Sequence, residues 1–406
     1  MMDEGFYSKL IVPTPPITIP SWPCLFSGVT PYQLGYYWFN HPDKGIFNSL
    51  YWREKAIFSL PEIKSFVLNV PGTYPAWIIH GEMIAGMLSP KFSSSPDELS
   101  QKYKQKWIID GRTIDQIFQA FEIKKKIFLD MLDKDYNLLI YVIRMPDAIS
   151  HMAHKTINKT LNSILQSYEK IDEFLGHLLS ANEIDNIFVV SDHGMTTYYK
   201  ELNLYRWLEK KKLLYINNLR FKWFKLFIMK IFDIIRPLIS ERILGKTKHW
   251  IKKRKRGNQT ITPESEFKTV SDDKTEIQSF NSNVGGLFLN AEHKSLRTKI
   301  LELLNQESFV KKIIEPKING FPDAFIILKD QYIFGDKPSP LLYRKRNVIN
   351  HSEEGLFIAY GKNVKKGSKE SLIYLNLVPT ILRLFKIKQS ESMIGKVMDT
   401  IISDDT

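Results

Sequence analysis

The sequence predicts an α/β fold built on a largely parallel sheet, and three features predict it. The stretch "YNLLIYVIRMPD" carries a continuous apolar run, Leu138–Ile143, ended by Pro146 and Asp147. A run apolar at every position suits a strand covered on both faces. The stretch "LNSILQSYEKIDEFLGHLL" then spaces its apolar residues as an amphipathic helix does, and "NIFVVSDHG" supplies a second buried run. Strand, helix and strand at this spacing make a βαβ unit, the building block of parallel sheets.

The remaining elements follow in chain order. "VPTPPITIPSWP" holds too many prolines for a helix interior or a central strand, so an irregular segment is expected. Asp3 and Glu4 read as a helix end. Phe66–Val70 is a short strand broken by Pro71. "DELSQKYKQKWIID" and "TIDQIFQAFEIKKKIFLDML" have helical spacing. After the βαβ unit, residues 216–262 interrupt the pattern with a basic, amphipathic insertion. "GGLFLN" and "DAFIIL" are strand-like, "RNVINHSEEGLFIAYG" places a histidine and a polar turn ahead of another strand, and "YLNLVPTILRLFKI" is a closing helix. Residues 1–215 and 263–406 are therefore expected to form one domain around the insertion.

Bulk properties narrow the function. With 406 residues, 43% hydrophobic and 25% charged, the chain has an ordinary globular composition. One cysteine, Cys24, excludes an internal disulfide and suits a reducing compartment. The acidic start and the lack of a long apolar run predict neither a signal peptide nor a transmembrane helix, hence a cytoplasmic location. The net charge of +13 is concentrated: Arg220–Arg256 holds 13 Lys and Arg against two acids, Asp233 and Glu241. That segment reads foremost as a cap over the active site. The next reading is a membrane-surface helix over 219–256, with Trp223, Phe224, Phe227 and Ile228 as its apolar face, which makes the location peripheral to a membrane. Nucleic acid is disfavoured, since no binding motif accompanies the charge.

In parallel sheets, functional residues gather beyond the carboxyl ends of the strands. Asp147 follows one such end, and Asp192 and His193 follow the next. Asp147 and His151 share a face if a helix begins there. A carboxylate and an imidazole on one face form a normal half-site for zinc or manganese. His351 stands ahead of a later strand, with His154 as a rival ligand near His151. Thr18 lies in the proline-rich segment, among the rival hydroxyls of Thr14, Ser21, Ser27 and Thr30. A metal ion beside such a hydroxyl favours its alkoxide.

Taken in order, "TIPSWPCLFSGVTP", "NVPGTYP", "MPDAISH", "VVSDHGM", "NHSEEGLFIAYG" and "VPTILRLF" resemble the type I phosphodiesterase / nucleotide pyrophosphatase family of the alkaline phosphatase superfamily. The resemblance implies an alkaline-phosphatase-like three-layer sandwich and two divalent metal ions, zinc first and manganese as the alternative. Asp147, His151 and His351 would hold one ion. Asp192 and His193 would hold the other, with Thr18 as the nucleophile that becomes phospho-threonine. Asn40 is the nearest candidate donor to a phosphate oxygen, one position later than the relatives' asparagine. The implied substrate is a small phosphodiester or nucleotide-like molecule. Relatives begin with a strand ending in a further metal-binding aspartate, ahead of the segment that "MMDEGFYSKL" resembles. The sheet is thus expected to lack its first, central strand and the second metal site a carboxylate. A phosphomonoesterase or phosphotransferase, and a non-catalytic binding protein, are the rival readings.

Overall fold

The computed structural model describes residues 1–109, 111–152, 157–181, 183–213, 275–290, 294–335 and 337–403. The basic insertion at 216–262 and the rival ligand His154 lie outside the described residues.

Two of the four-stranded sheets lead into part of the site. The first has the order β17 (Gly367–Ile373), β1 (Phe6–Ile11), β16 (Glu354–Gly361), β8 (Asn186–Val190). β17 and β1 are parallel, while β16 is antiparallel to both neighbours. The second has the order β6 (Ser94–Ser95), β5 (Gly81–Ile84), β4 (Ser65–Leu68), β7 (Leu138–Tyr141). There β5, β4 and β7 run parallel. A hairpin of β2 (Asn40–His41) and β3 (Gly45–Ile46) lies apart. A three-stranded sheet has the order β14 (Tyr332–Phe334), β9 (Gly194–Leu202), β15 (Tyr343–Ser352). The last sheet has the order β10 (Glu276–Ser279), β11 (Val284–Phe288), β13 (Ala324–Leu328), β12 (Val310–Ile314).

The helices are α1 (Thr18–Ser27), α2 (Pro31–Leu34), α3 (Glu98–Tyr103), α4 (Ile114–Leu129), α5 (Met145–Met152), α6 (Ile157–Leu179), α7 (Leu204–Lys210), α8 (Arg297–Asn305) and α9 (Leu377–Leu384). One core lies between the first sheet, α1 and α9, with Leu10, Leu25, Phe357 and Val378 fully buried. A second, with Phe121, Phe128, Ile149 and Phe174, packs α4, α5 and α6 against the second sheet. A third joins α7 and α8 to the β10–β13 sheet through Trp207, Leu304 and Ile326.

Two expectations are corrected. The proline-rich segment is not wholly irregular, because α1 forms across Pro20 and Pro23. Ile19 stays extended (φ −112°, ψ 118°), so the regular turns begin at Pro20. Proline is tolerated in a first turn, where its missing N–H costs little. Asp3 and Glu4 form a turn, not a helix end, and lead straight into β1. In that strand Phe6, Ser8 and Leu10 face inward while Tyr7 and Lys9 face out. The short period-two pattern had been obscured by the prolines that follow it.

The expected gap in the sheet has a structural counterpart. Among the described residues, β7 and β8 each pair on one edge only. Their side chains nonetheless share cores on both faces. Leu138, Ile140, Phe188 and Val190 meet one core, and Leu139, Tyr141 and Ile187 the other. Every residue of β8 is only half-buried, although the run is apolar enough for a central strand.

Candidate metal centre

β7 and β8, the end strands of two different sheets, each lead into the site. β7 ends at Tyr141, and α5 begins four residues later. On α5, Ala148 and Ile149 turn into the core. Asp147 and His151, one turn apart, share the face toward the site. Their closest atoms, Oδ1 and Nε2, are 3.1 Å apart. β8 ends at Val190, and Asp192 and His193 follow at once. β9 starts at Gly194 and pairs with β15 over Ser352↔Gly194 and His351↔Met195. That pairing is what brings His351 alongside His193. A side chain at Gly194 would place its Cβ 2.0 Å from the Glu354 carbonyl oxygen, so the register requires glycine.

The result is a compact cluster. Asp147, His151 and His351 offer ligand atoms that all lie within 4.8 Å of one another. The Nε2 atoms of His151 and His351 are 2.9 Å apart. The rings of His193 and His351 stack with centroids 3.7 Å apart. His193 Nε2 lies 3.8 Å from Asp147 Oδ1 and 3.5 Å from Asp192 Oδ2. Asp147, His151, Asp192, His193 and His351, distant in sequence, therefore meet in one place.

The donor chemistry fits a cation. His351 Nδ1 lies 3.0 Å from the Pro16 carbonyl, and His193 Nδ1 lies 3.2 Å from that of Gly194. A carbonyl only accepts, so each Nδ1 carries the proton and each neutral ring turns its Nε2 lone pair toward the carboxylates. Asp147 Oδ1 is buried and, despite its near approach to His151, has no hydrogen bond of good geometry. Two imidazole lone pairs and a carboxylate oxygen converge where only His151 Nε2 is placed to donate, an arrangement that asks for positive charge, supplied by a proton or a metal ion.

The electrostatics agree. Burial alone would raise the Asp147 carboxyl, but the facing nitrogens of His151 and His351, when protonated, hold it well below the usual carboxylate range. Burial, reinforced by the Asp147 charge, pushes Asp192 up to about 6, against the pull of His193. Burial and the neighbouring His193 push His351 down to about 4.

Thr18 opens α1, half-buried, two residues beyond the Pro16 carbonyl that holds His351. Asn40 sits in β2, and among the described residues it has no hydrogen bond or ion pair to the cluster. Two groups that touch His351 have no sequence signature: the Pro16 carbonyl, and Tyr198, whose hydroxyl donates to the His351 carbonyl at 2.6 Å. Tyr198 could have been suspected only from the alternation of "GMTTYYKEL", once that segment is taken as a strand.

Residues 1–279 match the family of type I phosphodiesterases / nucleotide pyrophosphatases. The chain belongs to this family. Its fold is that of the alkaline phosphatase superfamily, as the solved structures agree. Murine ectonucleotide pyrophosphatase / phosphodiesterase 5 superposes with a TM-score of 0.57 at 11% identity, covering 99% of this chain and 93% of its own. The human counterpart gives 0.55 at 14%, with the same coverage. The alkaline phosphatase PafA gives 0.52 at 11%, also covering 99% and 93%. An inactive form of the murine protein has been solved in complex with AMP. Among curated proteins, a sequence search finds no match. No helix among the described residues is long and apolar enough to cross a membrane.

Proposed function

We propose that the chain hydrolyses phosphodiester or pyrophosphate bonds in small nucleotide-like molecules, through a phospho-threonine formed on Thr18. The observation that carries this is the convergence of Asp147, His151 and His351 on one point, with Asp147 Oδ1 buried and lacking a hydrogen bond. Family membership sets the reaction class, and the AMP complex of the murine relative points to the substrate class. Asp147, His151 and His351 would hold one divalent ion, and Asp192 and His193 a second, zinc first and manganese as the alternative. Ions held there supply Lewis acidity for phosphate oxygens and make hydroxyls at the site more acidic.

The chain's own residues then have these roles. Thr18 Oγ gives up its proton and forms a bond to phosphorus as the bond to the leaving oxygen breaks; that oxygen takes up a proton, giving phospho-threonine and the released alcohol or phosphate. Water then bonds to phosphorus, the Thr18 oxygen leaves and takes up a proton, and the second product departs. Pro16 and Gly194 hold the two imidazoles in one tautomer. Asn40 is the candidate donor to a non-bridging oxygen. The location proposed is cytoplasmic, with 219–256 as the segment that would contact a membrane surface.

The test compares bis-p-nitrophenyl phosphate with p-nitrophenyl phosphate, with zinc or manganese added and Thr18→Ala as control. The expected result is a preference for the diester that Thr18→Ala abolishes without loss of fold. Full turnover by Thr18→Ala would remove it as nucleophile, and preference for the monoester would move the chain to the phosphatase reading. The rival from another class is a non-catalytic relative. Metal content after supplementation separates the two, since that relative would retain neither zinc nor manganese.

A further inference from the structure

The turn between β15 and β16 makes contacts that the roles above do not use. Just past it, β16 ties down the residue before Asp192: the Leu356 N–H donates to Ser191 Oγ at 2.7 Å, and the Ser191 N–H to the Leu356 carbonyl at 3.1 Å. The Glu354 carbonyl lies against Gly194. The same turn also reaches the segment that leads into Thr18. The Val12 N–H donates to the Glu353 carbonyl at 3.0 Å, and Thr14 Oγ1 donates to Glu353 Oε1 at 3.1 Å. Two residues on, Pro16 accepts from His351. The two acids of the turn part company here. Glu354 is exposed and pairs with Lys9 at 2.8 Å, whereas Glu353 is half-buried and turned inward.

We propose that Glu353 is a positioning residue: its carboxylate, through Thr14, latches the Thr18 segment to the turn that follows His351 and lies against Gly194, next to His193. The inference rests on the reading of Thr18 as nucleophile and adds what sets its distance from the metal ligands. Without the latch, the segment keeps its backbone tie at Val12 and its tie at Pro16, but the residues between them lose their only side-chain anchor among the described residues. An attacking oxygen displaced by a fraction of an ångström to an ångström loses in-line alignment, while ligands on β9, β15 and α5 stay in place. Glu353 touches neither the imidazoles nor the carboxylates of the cluster, so its loss lowers the rate and not the metal affinity.

Four variants of the full chain test this: Glu353→Ala, Glu353→Gln, Thr14→Val and the double variant Glu353→Ala/Thr14→Val. Three quantities are read: zinc affinity by chelator competition, kcat and KM on the diester, and hydrogen exchange over residues 12–25. Glu353→Ala and Thr14→Val are each expected to lower kcat about ten-fold or more, with KM and zinc affinity unchanged and exchange faster. The double variant should be no worse than either single one, because both break the same bond. Glu353→Gln keeps the acceptor oxygen and should restore both rate and protection. Unchanged exchange in Glu353→Ala, a parallel loss of zinc affinity, additive losses in the double variant, or failure of the Gln variant to rescue would each overturn the latch. If the wild-type chain hydrolyses no diester, the nucleophile reading fails, and the exchange pattern still decides whether the latch exists.

Discussion

Asp192 offers a prediction in which stability and metal binding move in opposite directions. Its carboxyl is pushed from 3.8 to about 6, chiefly by burial and then by the charge of Asp147. Because the folded value is raised, its contribution is fully present below pH 3.8 and is lost as pH rises through 6. At neutral pH the metal-free protein therefore carries an ionised, poorly solvated carboxylate. A shift of roughly two units corresponds to about 3 kcal/mol. Asp192→Asn keeps the shape and removes the charge. In chelator at neutral pH the variant should be more stable than the wild type by about that amount, or roughly 4 °C in Tm for a chain of this size. Toward pH 4 the wild-type group is largely protonated, and the difference should shrink to near zero. With zinc the order should invert. At a thousand-fold excess over Kd a bound ion adds about 4.1 kcal/mol, more than the roughly 3 kcal/mol that the buried charge costs, and the variant largely loses that gain. The assay is thermal unfolding of both proteins, with chelator and with zinc, at about pH 4 and at neutral pH. A variant less stable than wild type in chelator at neutral pH would refute the reasoning, because it would mean that the Asp192 charge is already compensated without a cation.

Other outcomes follow from the same geometry. Asp147→Asn should weaken zinc binding by about a hundred-fold or more, since it removes the anionic ligand at the convergence point; near-normal affinity in a chelator titration would exclude Asp147 as a ligand. His351 titrates at about 4 in the fold against 6.5 free, so its contribution is present above pH 6.5 and lost as pH falls through 4. His351→Ala in chelator should therefore lose less stability on acidification than the wild type, by about 3 kcal/mol between neutral pH and pH 4; equal losses in urea unfolding would contradict the assigned shift. Phe357, fully buried between the rings of Phe6 and Phe188, should cost about 3–5 kcal/mol when replaced by Ala. A cost under about 1 kcal/mol would show that the first sheet's core is loosely packed.

Much of the site could be read from local pattern. Asp147 and His151 were placed together by helical spacing, because a helix fixes which residues share a face. Asp192 and His193 were placed by the end of an apolar run, because buried strands of a parallel sheet open their carboxyl ends to ligands. Other features resisted. The helix α1 was hidden by Pro20 and Pro23, whose cost depends on where the first turn starts. β9 was hidden by the turn chemistry of Asp192–His193–Gly194, since a glycine looks the same whether it ends a turn or admits a neighbouring carbonyl.

Family membership and the identity of the ligand candidates were thus determined by the sequence alone, through motifs a few residues long whose chemistry is local. Only the tertiary structure decided how they meet. His351 reaches His193 because β15 pairs with β9 in a particular register, and a shift of one residue would turn it to the other face. Glu353 reaches Thr14 across 339 positions of sequence. The opening between β7 and β8 belongs to the same class, because edge pairing is a relation between strands and no single strand's residues encode it.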